Sequence, residues 1–193
     1  TASSDLPMII GALNKAIDRG FTAIKINTVL LREHRDSQVI PLIDWVKNKP
    51  IALRFIELMQ TGDNREFFNR QHFSADKVKD LLVDQGWTEK SRLIHAGPAV
   101  EYRHSSYPGS VGVIAPYSEN FCDTCNRLRV TAQGQLHLCL FSEKGKDLRH
   151  FLQTTDSAPL TEFLRSSIYE KLPKHYLQQQ KTGATRHFAM LGG

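Results

Sequence analysis

The stretch TAIKINTVLL, residues 22–31, decides the fold. It is short and β-branched, and as a strand it would place Thr22, Ile24, Ile26, Thr28 and Leu30 on one face and Ala23, Lys25, Asn27 and Val29 on the other, because successive side chains point to opposite sides. One face is apolar; the other carries a lysine and an amide. Upstream, Ser4 or Asp5 serves as N-cap and Pro7 falls in the first turn, after which Ile9, Ile10, Leu13, Ala16 and Ile17 recur at helical spacing until Gly20. Downstream, DSQVIPLIDWVKNK (36–49) returns to helical periodicity and IALRFIELM (51–59) gives a second strand. Helix, strand, helix, strand predicts an α/β fold with parallel strands, either an open doubly wound sheet or an arc of a β/α barrel.

A parallel strand covered on both faces normally reads as an unbroken apolar run, so Lys25 and Asn27 are out of place unless their side meets a polar cavity or an ion pair. Arg54 repeats the anomaly in the next strand, and Glu57 follows near its end. Two readings stay open: a buried cation–carboxylate pair, or the polar interior of a barrel that binds an anion. After Met59 periodicity is lost over 60–73, a linker or an ordered excursion, which predicts a boundary between domains at 1–60 and 61–193. Ser74 then caps a helix carrying Val78, Leu81 and Leu82 and ended by Gly86. Strand-like AVEYRH (99–104) and VGVIAPY (111–117) precede a hairpin over 127–141 that turns at Gln133 and Gly134. Helices are expected over 147–154 and 160–172, before a polar tail from 173 to 193.

The totals narrow the function. With 193 residues, 40% of them apolar and 23% charged, the chain can bury a core. No apolar run approaches the roughly 18 residues that cross a bilayer, and TASSDLPMII lacks a basic leader, so the expectation is no membrane span and a cytoplasmic protein. The net charge of +5 is spread without dense basic runs, which favours a small anionic ligand over nucleic acid.

Sulfur is concentrated. FCDTCNRLRV (121–130) holds Cys122 and Cys125 as a CxxC pair followed at once by Arg127 and Arg129, and Cys139 follows with thirteen residues between it and Cys125. A hairpin folds that separation back, so the three thiols can share one centre. If the strand begins near Cys125, alternation puts Cys125, Arg127 and Arg129 on one side, where guanidinium forks would suit a phosphorylated ligand beside a metal. Two metals fit. His137 completes a Cys3His set for structural zinc, whereas three cysteines without a fourth donor would leave one iron of a cubane cluster open.

KIN in the first strand, RFIELM in the second, FCDTCNRLR, GQLHLCLF and the final Gly-Gly together resemble the C-terminal part of the molybdenum cofactor biosynthesis protein A family, the radical S-adenosylmethionine GTP 3',8-cyclases. The resemblance implies the C-terminal part of an incomplete, TIM-like β/α barrel followed by an α+β iron–sulfur domain. It assigns Cys122, Cys125 and Cys139 to a [4Fe-4S] cluster whose open iron meets the guanine of GTP. It assigns Arg127, Leu128 and Arg129 to GTP, gives Lys25 a phosphate-facing role, and puts Arg54 and Met59 near S-adenosylmethionine. The implied chemistry begins with reductive cleavage of S-adenosylmethionine at a second, N-terminal [4Fe-4S] cluster. The radical so formed takes the 3' hydrogen of GTP, and the ribose carbon closes on C8 to give (8S)-3',8-cyclo-7,8-dihydroguanosine 5'-triphosphate, the substrate of a downstream cyclic pyranopterin synthase. In the family Gly192 and Gly193 would enter the active site, where residues without a β-carbon pass a narrow channel; a frayed terminus is the plainer alternative.

One family motif is missing. CxxxCxxC, which holds the cluster that cleaves S-adenosylmethionine, does not occur, and all three cysteines are already assigned. The expectation is a fragment, inactive when isolated, whose sheet edge is left open to association, a homodimer being one form. The competing expectations are a non-catalytic zinc-stabilised module gripping an anionic partner such as RNA, and a degenerate homologue that keeps only the scaffold.

Overall fold

The alternation in IKINTVL becomes strand β1 (Ile24–Leu30), and its exposure alternates with it: Lys25, Asn27 and Val29 are exposed while Leu30 is buried. This computed structural model describes residues 5–91, 96–123 and 125–191, the side chains of residues 35, 36 and 191 excepted. It divides into two compact units, one comprising 1–57, 73–93 and 99–115, the other 58–72, 94–98 and 116–193.

The first unit is a mixed five-stranded sheet. β2 (Ile51–Glu57), β3 (Thr88–Glu89), β4 (Val100–Arg103) and β5 (Ser110–Ile114) join β1 in the order β1-β2-β5-β4-β3. β1, β2 and β5 are parallel, as the alternation of helix and strand predicts, while β4 and β3 extend the sheet antiparallel. Helices α1 (Leu6–Asp18) and α2 (Arg35–Lys47) provide the crossover pattern, and α4 (Asp76–Asp84) follows α3 (Arg65–Gln71), which belongs to the second unit. α1 and α4 each stop at a glycine in the left-handed region, Gly20 at φ +80° and Gly86 at φ +82°. Ser74 does not cap α4 in the expected manner, but its hydroxyl accepts the backbone N–H of Asp76 at 3.3 Å.

Ile43 and Val46 of α2, Val78 and Leu82 of α4, Trp87, and the inward residues Leu53, Phe55, Val111 and Val113 of the sheet form a closed core. Burying each such side chain is worth about 1.5–3 kcal/mol, which holds the helices to this face. The register then fixes the opposite face. Asn27 lies beside Arg54, Arg54 beside Gly112, and Gly112 beside Glu101. Polar side chains from three strands thus collect on the face away from the core helices.

In the second unit, several expectations are corrected. β2 ends at Glu57 rather than at Met59, because the following backbone is taken by side chains: Asn64 Nδ2 donates to the Met59 carbonyl at 3.0 Å, and the Gln60 N–H donates to Tyr117 Oη at 3.0 Å. The stretch 60–73 follows the second of its two readings, an ordered excursion, and contains α3, whose adjacent aromatics Phe67 and Phe68 leave no helical stripe to read. The hairpin is shorter than 127–141: β6 (Arg129–Val130) pairs with β7 (Gln135–His137), which pairs with β8 (Lys146–Asp147). Its turn closes through Thr131, and Gly134 has φ +74°. Over 147–154 only a 3₁₀ turn forms, at Phe151–Gln153, since Asp147 is drawn into β8 and bonds Arg149. α5 (Ala158–Tyr169) agrees with the periodicity.

The tail is docked. The Ala184 N–H donates to the Ser142 carbonyl at 3.2 Å, the Thr185 hydroxyl donates to the Leu140 carbonyl, and the Gly62 N–H donates to the Thr185 carbonyl at 3.0 Å. Thr185 is buried by these contacts. No described helix is long and apolar enough to cross a membrane.

Candidate functional site

All three cysteines fall in the second unit, each half-buried and none in a disulfide. Cys122 and Cys125 are joined by a tight turn in which the Cys125 N–H donates to the Cys122 carbonyl at 3.0 Å. Thr124 lies outside the described residues. Cys139 sits two residues beyond β7, where the chain bends. Its carbonyl accepts the Ser142 hydroxyl at 3.0 Å, and its sulfur accepts the Phe141 N–H at 3.4 Å.

The thiols feel one another. Burial pushes the Cys122 thiol up, the His175 backbone N–H pulls it down, and Cys139, Cys125 and Asp123 raise it further by charge. Half-buried Arg129 shows the complementary pattern: burial weakens its hold on its proton, the Cys125 and Cys139 thiols strengthen it, and Arg127 weakens it. Two thiols therefore act on one guanidinium, which stays charged at any physiological pH. Lys171 adds a second cation, with Nζ 3.6 Å from Cys125 Sγ. Among the described residues, no three His, Cys, Asp or Glu side chains form a group that could hold a metal ion. A tetrahedral zinc needs every sulfur about 2.3 Å from one point, whereas a cluster takes each thiolate on a separate iron.

His137, the candidate fourth zinc donor, is engaged elsewhere. Ser142 Oγ spends its one proton on the Cys139 carbonyl, so at 2.9 Å it accepts from His137 Nδ1. The other ring nitrogen packs under Gly145, where an added Cβ would lie 2.7 Å from Nε2. His175 is closer to the sulfurs' chemistry. It bonds Cys122 through its backbone, its ring lies against Phe121 and Phe141, and burial lowers its basicity while the Pro116 carbonyl opposes that. His175 and Lys174 line both a cavity of about 290 Å³ that includes Cys139 and an open one of about 370 Å³ that includes Cys122.

The remaining predicted residues are dispersed. β6 begins only at Arg129, so strand alternation does not relate Cys125, Arg127 and Arg129; the segment between the CxxC turn and the strand is irregular. Arg127 and Leu128 are exposed, and Arg127 Nη2 reaches Gly97, where a Cβ would stand 2.7 Å away. In the first unit, Lys25 is exposed on the polar sheet face. Arg54, on that face, has its Nη2 3.9 Å from Glu101, while its buried Nε finds no hydrogen-bond partner among the described residues. Met59 is half-buried in the loop after β2. Gly192 and Gly193 lie outside the described residues. The sequence reading missed Lys171, His175 and Gly97, since no spacing links Lys171 to Cys125, His175 to Cys122 or Gly97 to Arg127 across such long stretches of chain.

Residues 51–177, which include every cysteine and both arginines, match the family Molybdenum Cofactor Synthesis C. The chain belongs to that family. Relatives of the Molybdenum Cofactor Synthesis C chain include the GTP 3',8-cyclases of Psychromonas ingrahamii, 44% identical, Stenotrophomonas maltophilia, 45%, and Yersinia pestis, 40%, each aligned over 194 positions and covering 100% of this chain. The chain spans 57%, 60% and 60% of their respective lengths.

Proposed function

We propose that this chain is the cluster- and nucleotide-holding part of a GTP 3',8-cyclase of molybdenum cofactor biosynthesis. The observation that carries the reading is Arg129, a half-buried cation in the joint field of Cys125 and Cys139, in a chain 40–45% identical to GTP 3',8-cyclases. The donor set suits an iron–sulfur cluster on Cys122, Cys125 and Cys139: three free thiols acting on one another, with Arg129 and Lys171 to offset anionic sulfur. When bound, a cluster held by three cysteines supplies an iron with an open coordination position for a purine.

The protein's own residues bind and orient. Arg127 and Arg129, with Leu128 between them, hold GTP, their forks matching phosphate oxygens, and Lys25 serves the same charge. Holding base and phosphates at once restrains the ribose between them, which turns an encounter into a fixed geometry. Arg54, whose buried Nε lacks an acceptor among the described residues, and Met59 serve S-adenosylmethionine. The parallel strands β1, β2 and β5 are the closing arc of a partial barrel. The terminal glycines fit a narrow active-site channel. A reducing cytoplasm suits three free thiols.

Anaerobic reconstitution tests the proposal. The expected product binds about four irons with matching sulfide, loses them in C122S, C125S or C139S, and changes its electron paramagnetic resonance spectrum when GTP is added. One tightly held zinc and no spectral response to GTP would refute it.

A further inference from the structure

Lys171 follows α5 in the stretch YEKLPKHY, and its own N–H continues the helix by donating to the Ile168 carbonyl at 3.1 Å. Its ammonium has three protons, and three acceptors surround it, all from one short segment. Nζ lies 2.8 Å from the Cys125 carbonyl, 3.0 Å from the Arg127 carbonyl and 3.6 Å from Cys125 Sγ. Residues 126–128 are in neither helix nor strand, so these two carbonyls have no ladder to satisfy them. The lysine does what a strand partner would do, and adds charge.

We propose that Lys171 is a positioning residue that fixes the segment 125–127 as one unit, so that the Cys125 sulfur and the start of the Arg127–Arg129 pair are set together from the end of α5. This rests on the reading of Cys125 as a cluster ligand. Two consequences are separable. As a clamp, Lys171 restrains the backbone whether or not a cluster is bound. As a cation against a ligating sulfur, it favours the reduced form of a bound cluster, since net charge and hydrogen bonds to sulfur set such potentials.

The test compares wild type, K171M and K171R. Methionine keeps the length and apolar stem but removes the donors and the charge, while arginine retains both. Hydrogen–deuterium exchange on the reduced, metal-free protein reads the clamp: exchange of amides in 122–129 is expected to accelerate at least tenfold in K171M and to stay within threefold of wild type in K171R. Redox titration of the reconstituted protein reads the charge, with a lower midpoint potential in K171M and a near-native one in K171R. Unchanged exchange in K171M overturns the clamp, and so does a uniform acceleration across residues 116–191, because a clamp acts on its own loop. Faster exchange with an unmoved potential overturns the electrostatic part. Wild type that takes up no iron sinks the cluster reading and the electrostatic part with it, whereas the exchange measurement still decides the clamp.

Discussion

Gly97 offers a way to move one arginine without deleting it. A Cβ at this position would stand 2.7 Å from Arg127 Nη2, closer than real side chains approach, and 3.9 Å from its Cζ. Something must shift in G97A, and the obstacle is the far end of a flexible, exposed side chain rather than backbone. Arg127 should therefore swing to another rotamer while the fold is kept. Gly97 does not occupy the left-handed region, so alanine fits its backbone and restricts the unfolded chain, a gain of about 0.4–1 kcal/mol. Stability should accordingly be unchanged or slightly raised. If Arg127 holds a phosphate, its displacement forfeits a charge-assisted hydrogen bond worth about 1.5–3 kcal/mol, or roughly 10- to 150-fold in GTP affinity. Anaerobic calorimetric titration of the reconstituted protein with GTP measures this, with R127A as the reference for complete loss. Native affinity in G97A beside lost affinity in R127A would show that Gly97 does not set the arginine. Native affinity in both would remove Arg127 from the nucleotide site, and a clear fall in melting temperature would show that the backbone had yielded instead.

Two further outcomes concern the scaffold. At Gly109 a Cβ would stand 2.1 Å from the Val46 carbonyl oxygen and 3.0 Å from that of Lys49, both backbone, so G109A is expected to destabilise the chain by about 3 kcal/mol or more in urea titration. Arg149 donates through side chain and backbone to Asp147 and holds its carboxyl down at about 2. A depressed carboxyl stabilises the fold above its ordinary value near 3.8 and loses that contribution as pH falls from there towards 2. D147N should thus lower stability modestly at pH 6 and converge on wild type only as the pH falls below about 2, with high salt shrinking the difference because the pair is exposed.

The parts that read clearly from the sequence were those fixed by local periodicity. Ile24, Ile26 and Leu30 alternate with Lys25, Asn27 and Val29 in space as in the chain, and Gly20 and Gly86 end helices because the left-handed backbone there suits glycine. Arg54 stood out as a charge in a covered strand, and it does sit beside Asn27 across the register. The limits were equally physical. Met59 continues an apolar run, yet Asn64 and Tyr117 hold the backbone out of the sheet, a competition between side chains distant in sequence. Cys125 and Arg127 have strand-like spacing but lack a partner strand, and Lys171 takes that place from 44 residues away. His137 has the right type and spacing for a metal, but Ser142 occupies its Nδ1. Such pairings depend on tertiary geometry, which a spacing rule cannot supply.

Thr185 ties the last stretch of the chain to the loop that carries Cys139. The carbonyls that hold the tail belong to Leu140 and Ser142, immediately after Cys139. The stretch that follows, with a 3₁₀ turn at Phe188–Leu191 and the Arg186 carbonyl accepting the Asp63 N–H at 3.2 Å, thus starts from the third cysteine's own loop. Any movement of that loop is therefore passed to Ala184 and Thr185 through two hydrogen bonds.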